Sequence, residues 1–190
     1  MAEGVGVTVA LLEQSLTDGV IRVRRLEPRD AAAFVDGTAD AQVRQFAHLP
    51  GDEYTEQIFL ERLRGVIADG LRDGNLAVLA VCDATTDEFL GSITLFDVDY
   101  TRGRAETGFW VTSASRGRSA AVRAVQLVAW WAARLGIVKL IARADATNRP
   151  SCVVLERAES TLAEGPAEQT APSGRTFTGL TDSRPSGPTQ

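Results

Sequence analysis

Between Asn75 and Thr112 the chain carries three β-rich segments in quick succession, NLAVLAVCD (75–83), FLGSITLFDVD (89–99) and RAETGFWVT (104–112). Only the turn residues of ATTDE and YTRGR separate them. Links this short cannot carry a chain back to begin a parallel neighbour, so the three segments predict an antiparallel meander. The period then changes. Ala121, Val125, Val128, Ala132 and Leu135 recur on one stripe, with Arg123, Gln126, Trp130 and Arg134 on the opposite one, which predicts a helix with one face on the sheet. IVKLIARADA (137–146) restores a strand, and a strand–helix–strand crossover places it beside the strand that precedes the helix.

The flanks add to this frame. In VIRVRRLEP, Ile21, Val23 and Leu26 alternate with arginines as a strand, and Pro28-Arg29-Asp30 opens an alanine-rich helix. A second helix is expected from Ile58, Phe59, Leu63, Val66 and Ile67, with Thr55 as its cap and Arg72-Asp73-Gly74 as its end. NRPSCVVLERAES (148–160) reads as a helix with Pro150 in its first turn. The expected fold class is therefore α+β (mixed α/β), a mixed sheet with helices on both faces. Residues 1–20 read as an N-terminal leader and 21–160 as one domain. From Gly165 onward four of the seven prolines fall among Ser, Thr and Gly, so 161–190 reads as a disordered or diverged tail. There, only RTFTGL (175–180) alternates like a final strand.

A formal net charge of -5 argues against a general nucleic-acid binder, so any anion site must be local. Cys82 and Cys152 are too few for a disulfide framework, and with His48 as the one histidine they do not make a zinc set; no metal is expected. No run reaches the roughly 18 apolar residues of a membrane span. The N-terminus lacks a basic flank and cleavage pattern, so the expected location is cytoplasmic.

The loop joining the third strand to the long helix concentrates chemistry: Ser115, Arg116, Gly117, Arg118 and Ser119 lead into Ala120 and Ala121. A helix start presents amides without intrahelical partners and about half a unit of positive charge. Small residues let phosphate oxygens approach, the arginines add charge-assisted donors, and Ser115 or Ser119 can cap or donate. The combination favours a phosphorylated ligand; an ordinary turn with solvated arginines is the alternative. Neither G-x-x-x-x-G-K-[ST] nor a G-x-G-x-x-G after the first strand is present.

Arg116 to Ala121 resembles the R-G-x-G-x-A motif of the GNAT acetyltransferase superfamily, in the branch of ribosomal-protein N-terminal acetyltransferases and related small-molecule enzymes. AETGFWV (105–111) is similar to that branch's A-E-x-G-Y/F-W-V strand, and ATNRPSCVVLERA (146–158) to its A-x-N-x-x-S-x-x-(V/L)-L-E-(K/R)-A segment. The resemblance runs from about Ile21 to Ala158. It implies a splayed sheet that receives acetyl-CoA as cosubstrate, with Val111, Arg116, Gly117, Arg118, Ser119, Ala120, Ala121 and Asn148 binding it. The splayed strand would be FLGSITLFDVD. Direct attack by a primary amine of a small molecule or a protein N-terminus is implied, with Glu106 as general base and Ser151 returning a proton to the thiolate. A monomer or homodimer is expected; an idle domain that binds CoA or a protein partner is the alternative function.

The residues have plainer readings too. Glu106 can be a structural carboxylate paired with an arginine, and Asn148 and Ser151 can be helix caps. Cys152 in CVVL reads as a buried thiol, His48 as a surface loop residue, and Trp110, Trp130 and Trp131 as packing on or covering the core. Two departures from the family pattern stand out. Ser119 replaces a glycine, costing about 1–2 kcal/mol if its backbone is left-handed. After Ala158, Glu159-Ser160 replace Gly-Phe, so the closing β-hairpin is expected to be missing or diverged.

Overall fold

The computed structural model describes residues 15–47, 49–50, 53–159, 161–170 and 176–185. Its strands are β1 (Leu16–Thr17), β2 (Ile21–Arg25), β3 (Ala77–Asp83), β4 (Phe89–Asp99), β5 (Arg104–Val111), β6 (Lys139–Asp145), β7 (Thr161–Thr170) and β8 (Thr176–Pro185). They form one sheet in the order β1-β2-β3-β4-β5-β6-β8-β7. Every pairing is antiparallel except β5 with β6. The meander and the parallel strand after the crossover are thus as the segment lengths require.

Strand alternation divides the interior into two cores. From β3, Ala77, Leu79 and Val81 enter the core beneath α5 (Ala120–Arg134), while Ala80 and Cys82 enter the other. The stripe Ala121, Val125, Val128, Ala132 and Leu135 is buried on the sheet. Each fully buried Val or Leu there contributes about 1.5–3 kcal/mol relative to exposure. Trp131 is buried and Trp130 is 48% exposed, its ring 5.0 Å from the Arg134 guanidinium carbon. α6 (Arg149–Arg157) places Cys152 and Leu155 against Ala142 and Ala144 of β6.

The opposite face carries α1 (Ala31–Ala39), α2 (Ala41–Phe46), α3 (Glu56–Arg62) and α4 (Ala68–Asp73). The alanine-rich stretch is two helices because Asp40 leaves helical geometry at ψ 133 and caps the second through hydrogen bonds from the Gln42 and Val43 amides. Thr55 caps α3 as its sequence position suggests, and Gly74, at φ 77, ends α4. Between them Leu63–Ile67 widens into a π-type turn around Gly65. The extra residue shifts the phase of the apolar stripe, leaving Val66 55% exposed instead of buried with Phe59.

Both chain ends depart from expectation. Leu16 and Thr17 of the expected leader pair with Val23 and Arg22; residues 1–14 and His48 lie outside the described residues. In place of a tail from 161, β7 and β8 form an antiparallel hairpin, and β8 pairs with β6 along Lys139 to Asp145. Composition misleads here because β7 is the edge strand. Its ladder shifts register between Leu162 and Ala167, so Gly165 and Pro166 sit at a bulge, where proline interrupts no central ladder. Among the described residues no helix is long and apolar enough to cross a membrane.

Candidate active site

β5 and β6 begin as neighbours and then part. Arg104 to Thr107 pair with Lys139 to Ala142, but Gly108 to Val111 pair only with β4. Past that point β6 follows β8, while Phe109 packs against the residues at the α6 contact. The Thr112 amide donates to the Leu90 carbonyl at 2.8 Å. Amide directions alternate along a strand, so those of Phe109 and Val111 turn away from β4 into the gap. The expectation that FLGSITLFDVD is the splayed strand is therefore corrected. As the middle strand of the meander, β4 is paired from Gly91 to Leu95 with β3 on one side and β5 on the other, so it has no open side alongside the gap.

Because β5 and β6 are parallel, α5 and α6 both start beyond the C-terminal ends of these strands. In open sheets, the crevice outside the carboxyl ends of parallel strands is where ligands collect. The loop at this edge opens with a 3-10 turn at Ser113–Ser115, held by a 2.8 Å hydrogen bond between the Thr112 and Ser115 hydroxyls. Gly117 has φ 77 and Ser119 has φ 60, ψ 11, directly before the helical Ala120. A left-handed residue followed by a right-handed one turns successive N–H groups to one concave side, a nest for anions. The Ser119 hydroxyl makes no capping hydrogen bond, so the first-turn amides of this fifteen-residue helix keep their donors. A side chain built at Gly117 would meet no atom within 4 Å, so the approach is open. These features suit a diphosphate.

The arginines are less available than their sequence positions suggest. Arg116 Nη2 donates to Asp40 Oδ1 at 2.5 Å, and this bond, foremost, holds the Asp40 carboxyl below the usual range. Arg123, in the first turn of α5, pairs with Asp18 at 2.6 Å. Arg118 is exposed, with Asp83 feeling its charge at longer range.

Glu106 lies in β5 opposite Phe96 of β4 and Ile141 of β6, and is 6% exposed. Burial pushes its carboxyl up; Arg143, 2.6 Å from Oε2, pulls it down, and the charge of Asp97 adds to the rise. The net direction is up, so the carboxyl is both a partner of an arginine and a stronger base than a free glutamate. Asn148 caps α6, its Oδ1 accepting from the Ser151 amide at 3.3 Å. The Ser151 side chain is half-buried, and Cys152 is buried behind it with Sγ 3.9 Å from the Asp145 carbonyl oxygen.

Val111 and the run Arg116 to Ala121 are thus brought to one edge with the start of α6, and Glu106 sits lower in the same strand. Asp40, Asp18 and Arg143 carry no local sequence signal. Arg116 and Asp40 are 76 positions apart, and Arg123 and Asp18 are 105. Among the described residues no group of three or more His, Cys, Asp and Glu side chains could hold a metal ion.

The same architecture occurs in solved acetyltransferases. RimJ of Mycobacterium smegmatis, in complex with CoA-disulfide, superposes with a TM-score of 0.77 at 20% identity, covering 90% of this chain and 86% of that one. Ribosomal-protein-S5-alanine acetyltransferase of Vibrio fischeri gives 0.75 at 16% identity over 92% and 97% of the two chains. Spermidine N-acetyltransferase of Vibrio cholerae, in complex with CoA and spermine, gives 0.73 at 14% over 89% and 97%. At these identities the likeness is one of fold. A sequence search of curated proteins finds no match. The profile of the acetyltransferase (GNAT) domain does match, over residues 21–161, from the start of β2 to the start of β7. With most of its length within that profile and a sheet that opens where β5 leaves β6, the chain belongs to the GNAT acetyltransferase family.

Proposed function

We propose that this protein is an acetyl-CoA-dependent N-acetyltransferase acting in the cytoplasm, as a monomer or homodimer, on a primary amine of a small molecule or a protein N-terminus. The observation that carries the reading is the meeting, at one sheet edge, of the β5–β6 gap with the open nest at Ser119–Ala120. The CoA complexes of two fold relatives support it.

Acetyl-CoA supplies an acyl group already activated as a thioester. The amides of Ser119, Ala120 and Ala121, with Arg116, Gly117 and Arg118, hold its diphosphate. The Val111 amide, turned into the gap, is placed to receive the thioester oxygen as negative charge grows there. Asn148 offers its amide N–H groups to the pantetheine arm while its Oδ1 stays on the cap. Glu106, its basicity raised by burial, takes the proton of the attacking amine, directly or through one water. The Ser151 hydroxyl returns a proton to the departing thiolate. No covalent enzyme intermediate is involved, and much of the acceleration comes from holding the two reactants together, with effective molarities of about 10⁵ M or more. An α-amino group with pKa near 8 is about a tenth neutral at pH 7, against less than one part in a thousand for lysine, so a terminal or similarly weak amine asks least of Glu106.

Thiol release from acetyl-CoA, measured against a panel of amines, tests the reading. Glu106→Gln is expected to lower kcat about 10²–10⁴-fold and to erase the loss of rate at acid pH as Glu106 protonates. Arg116→Ala is expected to weaken cosubstrate binding. A second reading, an idle domain that binds CoA or a protein partner, is favoured by Ser119 and by the engagement of Arg116 with Asp40. CoA binding without thiol release across the panel would decide for it.

A further inference from the structure

The loop before α5 and that helix's first turn form a cationic corner whose arginines are met by carboxylates. Arg116 is held by Asp40 from the α1–α2 junction and Arg123 by Asp18 from the β1–β2 turn, while Arg118 only adds its charge at longer range to Asp83 at the end of β3. Two stretches distant in sequence thus each supply an aspartate to an arginine, Asp40 to the loop and Asp18 to the first turn of α5. Asp18 is likewise held by two amides, its Oδ1 accepting from Val20 and Ile21 while Oδ2 takes Arg123; Asp40 differs in using one oxygen for both, and in the corner that carries it. Its Oδ1 accepts from the Gln42 and Val43 amides and from Arg116 at once. The corner that carries it is fixed on β5: Phe34 meets the Trp110 ring edge-on at 5.2 Å, and a side chain at Gly37 would fall 2.4 Å from that ring. Asp40 is therefore a rigidly mounted anion, and it engages the guanidinium that immediately precedes Gly117 and lies three positions before the nest.

We propose that Asp40 is an internal competitor for the anion that this loop receives, so that the Arg116–Asp40 pair lowers the affinity for CoA and breaks when CoA binds. The inference rests on reading the loop as a diphosphate cradle. A diphosphate carries more charge than one carboxylate and reaches the Ser119–Ala120 amides as well, so it wins Arg116. Keeping Asp40 on the same guanidinium would hold a third negative charge against the ligand. Transfer of Arg116 also unfastens the α1–α2 corner from the loop after β5, because this ion pair joins the helical layer on one sheet face to the loop that feeds α5 on the other.

The test is isothermal titration of CoA into the wild type, Asp40→Asn, Arg116→Ala and the double variant. Asparagine keeps the Oδ1 acceptor that caps α2, so helix stability is preserved. Should the asparagine variant fold poorly, Asp40→Ser, another good N-cap, replaces it. Asp40→Asn is expected to bind CoA roughly two- to five-fold more tightly than the wild type, the size of a half-exposed ion pair. The gain should vanish in the Arg116→Ala background. If the wild type binds CoA and Asp40→Asn binds equally or more weakly, the competition is refuted and the cradle stands. An equal gain with and without Arg116 would also refute it, since the carboxylate would then act only through its field. If none of the four proteins binds CoA, the cradle reading fails and the competitor with it.

Discussion

Ser119 carries the sharpest tension between sequence and backbone. Its φ of 60 places a side chain where glycine is the default, at the residue that starts both the nest and α5. A non-glycine residue there is strained by about 1–2 kcal/mol, offset by about 0.4–1 kcal/mol because glycine frees the unfolded chain. Ser119→Gly is expected to gain up to about 1.6 kcal/mol in a urea titration, and a loss of about 0.4–1 kcal/mol, the cost of the glycine alone, would show that the serine is not strained. The substitution of serine for glycine was visible in the sequence, but its consequence was conditional on a dihedral angle that only the folded chain sets. Glu106 shows the same limit. Its place in a strand leading to the loop was legible, whereas its burial and its bond to Arg143, a residue of β6, come from strand pairing.

Among the elements, α6 separates two roles that overlap on one side chain. Asn148 caps the helix through Oδ1, which leaves its amide N–H groups for a ligand. Asn148→Ala is expected to cost about 1 kcal/mol in thermal or chemical unfolding through the lost cap. Asn148→Asp keeps an equally good cap but removes the donors, so it should fold normally and bind CoA more weakly, as titration calorimetry can measure. Equal affinity in the aspartate variant would leave Asn148 a cap alone. The helices were legible from periodicity where one phase ran through, as in α5. The short α2 after Asp40 went unread, and the helix expected through Ile67 was misread where its phase broke, at the π-type turn before α4. The hairpin of β7 and β8 escaped composition because bulges and an edge position accept proline and glycine that a central strand rejects.

At the scale of the whole molecule, a ligand bound across the gap and the loop would tie the starts of α5 and α6 to the sheet and raise the melting temperature. Binding stabilises by RT ln(1 + [L]/Kd), about 2.7 kcal/mol at a hundredfold excess over Kd. A thermal-shift titration with millimolar acetyl-CoA is expected to move the transition clearly upward; an unmoved transition would count against the cradle. The sequence by itself determined what local physics can express: the short links that force an antiparallel meander, the two-faced helix α5, the small and basic loop before it, and the crossover that makes β6 parallel to β5. The tertiary structure alone decided which strand opens, because a strand's free amides depend on how many neighbours it has, and β4 has two where the far half of β5 has one. It likewise decided which charges meet, since Arg116 with Asp40 and Glu106 with Arg143 are contacts across the sheet and between layers, written in no stretch of neighbouring residues.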